Sequence, residues 1–279
     1  MTTADPATAD APAEVSVDAF LGGRVEAVQP AKGHHRSGLE AVLLAASLDA
    51  RISGTVVDLG AGVGAAGLCA AARCRHARVV LVERDGTAIA AARAALGRPA
   101  NAGFADRVRL VAADISGSEA DRSEAGIGRG LADHVIVNPP FYGPGSGTAS
   151  PKAARAGAHV LGPGGLDPWF RAAASVLKFR GDLTIVFRAD GLDAVLAAAA
   201  RRFGGLDILP VHPRAGEPAH RVLVRGVKGS RAALRLLPPL VLHEGEGSGF
   251  APAVEAILRE GRALSTVVRA WHGGRGRPS

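Results

Sequence analysis

The stretch Asp133-His134-Val135-Ile136-Val137-Asn138-Pro139-Pro140-Phe141 restricts the fold more than any other part of this chain. Val135-Ile136-Val137 is a run of β-branched residues, the pattern of a strand buried on both faces. The strand has to stop at Pro139, because proline has no N–H to give a sheet ladder and keeps the residue before it out of the helical region. Asn138 therefore stands at the carboxyl end of a buried strand, the place where open α/β sheets bind their ligands. Its side-chain oxygen and the Pro139 carbonyl are neighbouring acceptors. The two prolines remove backbone donors that would compete for them, and Phe141 adds an aromatic face. Such an acceptor-only corner suits an amine on a flat ring.

The rest of the chain alternates strand and helix around this point. Residues 55–59 read as a strand, Gly60-Ala61-Gly62-Val63-Gly64 as a glycine loop, and the Ala-rich segment to about residue 75 as a helix. Strands are predicted at 78–83 and 107–112 with a helix at 87–96 between them. A loop rich in Ser, Gly and acids, 116–130, leads into the strand before Asn138. After Phe141 a Gly/Pro/Ser stretch reaches residue 165, a length that marks a lid or binding segment. Beyond it come a helix at 167–178, a strand at 183–187, a helix at 192–203 and strands at 206–211 and 220–226. A segment at 234–242 is broken by Pro238-Pro239, and a helix follows at 251–260. Ahead of the core, 17–30 reads as a β-hairpin turned at Gly22-Gly23 and 39–48 as a helix. This order predicts an α/β fold, a Rossmann-like sheet of seven mainly parallel strands with helices on both faces. The expected organisation is a disordered tail over 1–16, a hairpin and helix packed on the core over 17–50, the main domain over 51–265, and a basic flexible tail over 266–279.

Composition excludes several classes. With 47% hydrophobic and 21% charged residues, the chain has the make-up of a soluble globular protein. No apolar run reaches the ~18 residues of a membrane span, and the first 20 residues lack the basic and apolar regions of an export signal. A cytoplasmic protein with no membrane partner is expected. Cys69 and Cys74 have no metal-type spacing, so no metal or disulfide is expected. The net charge of +7 points toward an anionic partner such as nucleic acid, although Arg-rich composition in an Ala- and Gly-rich chain gives the same total.

The glycine loop lies between a strand and a helix, where glycines allow a tight turn and close approach of a ligand. Gly62-x-Gly64-x-x-Gly67 also matches a dinucleotide fingerprint, with Glu83 where a ribose-binding acid would stand. Three further features favour S-adenosyl-L-methionine. Asp58 precedes the loop, where a carboxylate repels a pyrophosphate but serves the amino-acid end of a cationic cofactor. Asp114, after the third core strand, can accept from an adenine amine. Asn138-Pro139-Pro140-Phe141 has no use in hydride transfer. Asp58, Glu83, Asp114 and Asn138 fall one at the end of each successive strand.

On these residues the chain resembles the class I methyltransferases, and among them the bacterial adenine N6-methyltransferases that modify valine tRNA beside the anticodon. The motifs are VVDLGAGVG, LVERD, VAADI and NPPF, joined by DAFLGGRV, QPAKGHHRSGLEAVLL, AHRVLVRGVKG and LRLLPPLVLHE. The resemblance runs from residue 18 to about 264. It implies that Gly60, Gly62 and Gly64 line the methionine end of the cofactor, that Glu83 binds the ribose and Asp114 the adenine. It implies that Asn138, Pro139, Pro140 and Phe141 hold the target base, and that residues 36–44 close over both. Glu40 stands where the family pattern has Asp, and His35 where it has an aromatic. The partner implied is RNA, most readily tRNA. Arg24, Lys32, Arg36, Lys152 and Arg155 are candidate phosphate contacts. The competing readings are methylation of a protein glutamine amide, methylation of a small amine, a non-catalytic RNA-binding protein of the same fold, and a dinucleotide oxidoreductase.

Overall fold

The computed structural model describes residues 15–30, 38–141, 161–162 and 164–271. His35, Lys32, Arg36, Lys152 and Arg155 lie outside these residues, as does most of the stretch after Phe141.

The chain opens with the expected hairpin, β1 (Val15–Phe20) antiparallel to β2 (Val25–Pro30). Its turn needs glycine: Gly22 and Gly23 both take positive φ, and a Cβ on Gly22 would lie 2.9 Å from the Arg259 carbonyl oxygen. Val15 and Ser16 belong to β1, so the strand starts inside the segment read as a disordered tail. Asn101 docks the hairpin on the core. Its buried amide donates to the carbonyls of Glu26 and Ala95, both at 2.7 Å, and accepts from Glu26 N–H at 3.0 Å.

After the hairpin, α1 (Leu39–Ser47) leads to β3 (Ser53–Leu59), α2 (Ala65–Arg73), β4 (His76–Glu83), α3 (Gly86–Leu96) and β5 (Val108–Ala112). A short α4 (Glu119–Glu124) precedes β6 (Ala132–Val137). The second half has α5 (Asp167–Val176), β7 (Leu177–Arg188), α6 (Leu192–Ala199), β8 (Phe203–Arg214), β9 (Arg221–Lys228), β10 (Arg235–Leu236), β11 (Leu240–His243) and α7 (Pro252–Glu260). Seven strands form the expected sheet in the order β8-β9-β7-β6-β3-β4-β5. All pairs are parallel except those made by β9. Two short strands not expected, β10 and β11, both pair with β8 and bring the sheet to nine. Pro238-Pro239 divides one extended segment into these two pieces, since neither proline can donate to a ladder. One apolar core lies between the sheet and α1, α2, α3 and α7; a second lies on the other face, under α5 and α6.

Two further corrections come from local chemistry. α4 falls in the segment read as a loop; it starts on a capping box, in which Ser118 and Asp121 each accept the other's backbone N–H. Trp271, placed by sequence in the flexible tail, is 1% exposed and its indole N–H donates to the Ser47 carbonyl at 2.8 Å. An indole this large has a strong drive to bury, and the carbonyl at the end of α1 satisfies its N–H.

A few arginines point into the protein and bond to backbone carbonyls or to a buried acid. Arg73 hydrogen-bonds the carbonyls of Ala45, Leu48 and Gly261, Arg107 those of Ala71, Cys74 and Ala77, and buried Arg122 those of Ile115 and Gly117. At the end of β6 away from Asn138, buried Asp182 receives His134 Nδ1 and Arg225 Nη2, each at 3.1 Å. Burial alone would raise Asp182, but these two partners hold its carboxyl down to about 2. Among the described residues no helix is long and apolar enough to cross a membrane.

The burial of Trp271 is directly testable. Trp271→Ala should lower unfolding free energy by about 3–5 kcal/mol, the usual range for deleting a large buried aromatic. Urea denaturation checks it; a flexible-tail residue would leave the midpoint unchanged.

Candidate active site

The parallel registers align the strand ends. Leu59 pairs with Val82 on one side and Val137 on the other, so Gly60, Glu83 and Asn138 follow side by side along one sheet edge. Glu83 pairs in turn with Ala112, which brings Asp114 to the same edge. The structure thus draws the cofactor and target-base residues expected from the sequence to one edge, from β5 across to β6.

Asp58 is 2% exposed and lies beneath the glycine loop. Its Oδ2 accepts the Gly67 N–H at 2.9 Å, tying β3 to the first turn of α2. Gly67 is the point of closest approach: a Cβ there would sit 2.1 Å from Leu81 Cδ2 and 3.1 Å from Asp58 Oδ2. Burial pushes the Asp58 carboxyl up to about 7, opposed by the Gly67 N–H, which favours the anion, and reinforced by the charge of Glu83. Through the Gly67 bond Asp58 sets the shape of the glycine loop.

The loop itself takes left-handed conformations at Gly60, Gly62 and Gly64, with φ of 69°, 56° and 87°. Gly62 N–H donates to Glu83 Oε2 at 2.8 Å, while Glu83 Oε1 accepts from Arg84 and Asp85 N–H. Among the described residues nothing lies within 4 Å of a Cβ position at Gly62. Two positions earlier, Gly60 is covered: a Cβ would lie 2.5 Å from Trp169 Cη2. Trp169, on α5, was not singled out from sequence; nothing local in Asp-Pro-Trp-Phe distinguishes a site tryptophan from a core one. Asp167 beside it pairs with Arg202 at 2.9 Å and Arg171 at 3.1 Å, which holds the start of α5 in place.

Asp114 is 41% exposed at its side chain. Its Oδ1 accepts from Ser116 N–H and Oγ–H at 2.8 and 2.6 Å, and its Oδ2 from Arg84 Nη1 at 2.9 Å. Partial burial would raise its carboxyl, but these donors outweigh that and hold it below the ordinary range.

Asn138 carries the most informative observation. Its Oδ1 is buried and has no hydrogen-bond partner among the described residues. A buried acceptor left unpaired costs roughly 1–3 kcal/mol, so folds rarely keep one without a use for it. Phe141 closes the corner. Its ring packs edge-on against Phe187 at 5.9 Å between centroids, and the Arg221 guanidinium lies 4.8 Å from its centroid.

The residues fit an adenosyl cofactor with an amino-acid end: a left-handed glycine loop with room at Gly62, a carboxylate at the end of β4, another after β5, and an unfilled acceptor at the end of β6. Of the RNA-facing cations expected, Arg24 is misplaced. Its guanidinium lies by Gly261 near the end of α2, on the far edge of the sheet from Asn138.

The methyltransferase small domain family matches residues 37–199. A tRNA1(Val) (adenine(37)-N6)-methyltransferase from Shewanella amazonensis is 30% identical over 209 residues, covering 75% of this chain and 78% of that protein. A protein of the same description from Dickeya chrysanthemi is 28% identical over 228 residues, covering 80% and 86%. Among solved structures, one from Agrobacterium tumefaciens, described as a predicted O-methyltransferase, superposes with a TM-score of 0.68 at 38% identity, covering 80% of this chain and 97% of that one.

The buried Asp58 has a measurable signature. A carboxyl whose folded pKa is raised favours folding while protonated, so wild-type stability should fall as pH rises from about 4 through about 7. Asp58→Asn removes that slope. Urea unfolding of both proteins at pH 5 and pH 7.5 should show the variant gaining about 2–3 kcal/mol relative to wild type at the higher pH; a constant difference would contradict the burial.

Proposed function

We propose, from the premise that the chain belongs to the methyltransferase small domain family and groups within it with the tRNA1(Val) (adenine(37)-N6)-methyltransferases, that it methylates the exocyclic N6 amine of an adenine in tRNA. S-adenosyl-L-methionine is the cofactor; when bound, it would supply an electrophilic methyl group on a sulfonium whose sulfur keeps the S–C electron pair and becomes a neutral thioether. Gly60, Gly62 and Gly64 cradle its methionine end, Glu83 takes the ribose hydroxyls and Asp114 the adenine amine. Asp114 then exchanges one of its present donors for that amine.

The single observation that carries the choice of acceptor is Asn138 Oδ1, buried and without a hydrogen-bond partner among the described residues. The exocyclic nitrogen of adenine is a weak nucleophile because its lone pair is delocalised into the ring. Asn138 Oδ1 and the Pro139 carbonyl accept its two N–H groups, which draws the nitrogen toward a pyramidal shape. The same two dipoles stabilise the positive charge that grows on nitrogen, and such preorganised electrostatics are usually the largest catalytic contribution. One of the N–H protons leaves to solvent after transfer, so no general base is needed before attack. Phe141 offers a stacking face, worth about 1–3 kcal/mol for a base. A hydroxyl acceptor has one proton and would leave one of the paired acceptors unused, which favours nitrogen over oxygen. An adenine exposed in a loop avoids the few kcal/mol needed to flip a base from a duplex. The cytoplasm is the compartment this reading implies.

Asn138→Ala tests the assignment. Methyl transfer to unmodified tRNA should fall by roughly 100-fold or more, with affinity for S-adenosylhomocysteine within a few-fold of wild type. The melting temperature should hold or rise, because the variant removes an unsatisfied buried acceptor. Retention of most activity would remove Asn138 from the reaction. Phe141→Trp should keep activity that Phe141→Ala loses.

A further inference from the structure

The Phe141 ring has a cation on one face, and that cation is tied to a distant helix. Arg221 opens β9, which runs antiparallel to β7, so its first residue reaches the sheet edge that carries Asn138. Its guanidinium carbon lies 4.8 Å from the Phe141 centroid. Its Nε donates to Glu40 Oε1 at 3.0 Å and its Nη1 to the His220 carbonyl at 3.1 Å. Glu40 is on α1, and the two side chains are 15% and 31% exposed. This partial burial separates the pair from the many exposed ion pairs of the chain, most of which are screened by water.

The surroundings give that charge a consequence. The methyl donor is a cation, and the accepting nitrogen becomes positive as the bond forms. A bare guanidinium against Phe141 would oppose both, and in a partly dry site the repulsion is stronger than in water. Glu40 cancels it. A cation over an aromatic face also restrains the ring.

We propose that Glu40 and Arg221 form a charge-neutral positioning pair for methyl transfer: Arg221 sets the plane of Phe141, and Glu40 removes the guanidinium's repulsion of the cationic donor and of the nitrogen gaining charge. The inference rests on the N-methylation reading for the acceptor, but its effect on the cofactor is independent of which molecule accepts the methyl. It also accounts for an acid at position 40 without giving Glu40 any contact with the substrate.

The test uses wild type, Glu40→Gln, Arg221→Met and the double variant. The first readout is the ratio of affinities for S-adenosylmethionine, a sulfonium, and S-adenosylhomocysteine, a neutral thioether, by calorimetry. Glu40→Gln should weaken the sulfonium relative to the thioether by about threefold to tenfold, and the double variant should restore the wild-type ratio, because the unbalanced cation is gone. Single-turnover methylation of a tRNA transcript should follow the same order, with Glu40→Gln about tenfold slower than the double variant. A pair that merely braces the fold predicts a double variant no better than either single and an affinity ratio that never moves; either result overturns the proposal. Should Arg221→Met fail to fold, Glu40→Gln alone still decides through the affinity ratio. If the ratio follows the charges but wild type transfers no methyl to RNA, the pair stands and the tRNA reading falls.

Discussion

The hydrogen bond from the Gly67 N–H to the Asp58 carboxylate is the constraint on which the site depends. It spans 2.9 Å inside the protein, at the place where α2 and the central strands come closest. By fixing the start of α2 against β3, it leaves the five residues between them one course to follow. That course requires left-handed backbone at three positions, which glycine supplies with no Cβ to strain. The loop is then locked from above by Glu83, which accepts the Gly62 N–H, and covered at Gly60 by Trp169. Because the neighbouring strands are parallel and in register, the same geometry sets Glu83, Asp114 and Asn138 along one edge.

On that edge one buried acceptor, Asn138 Oδ1, has no partner among the described residues, and the imbalance has chemical meaning. Most buried polar groups here have partners: Arg107 and Arg122 donate to backbone carbonyls and Arg225 to Asp182. Asn138 Oδ1 is an exception at the end of β6, and Asp58 is a carboxyl that burial holds near neutrality. Natural folds break their own packing rules chiefly where function needs it. The rest of the molecule compensates with two apolar cores and with anchors far from the site, among them Asn101 under the hairpin and Trp271 against α1.

What could be read from the sequence follows the range of the signals. The hairpin, the glycine loop and the strands before Gly60, Glu83 and Asn138 are written in local periodicity and in Gly and Pro, and they appear where expected. α4 escaped because its Ser, Gly and acidic residues resemble a loop, although Ser118 and Asp121 spell a capping box. Trp271 escaped because a basic, Gly-rich ending outweighed one tryptophan. β10 and β11 depend on β8 for their existence and have no signal of their own. The contacts that shape the site most subtly, Trp169 on Gly60 and Glu40 with Arg221, join residues distant in the chain. No local pattern encodes them, and only the sheet order brings them together.

The central claim is that the acceptor atom is the exocyclic nitrogen of adenine, selected by a pair of carbonyl oxygens at the end of β6. Mass spectrometry of nucleosides from unmodified tRNA, treated with the protein and methyl-labelled S-adenosylmethionine, identifies that atom. Label is expected in N6-methyladenosine and in no ribose-methylated nucleoside. Label in 2′-O-methyladenosine, or in a protein glutamine with the tRNA untouched, would contradict it.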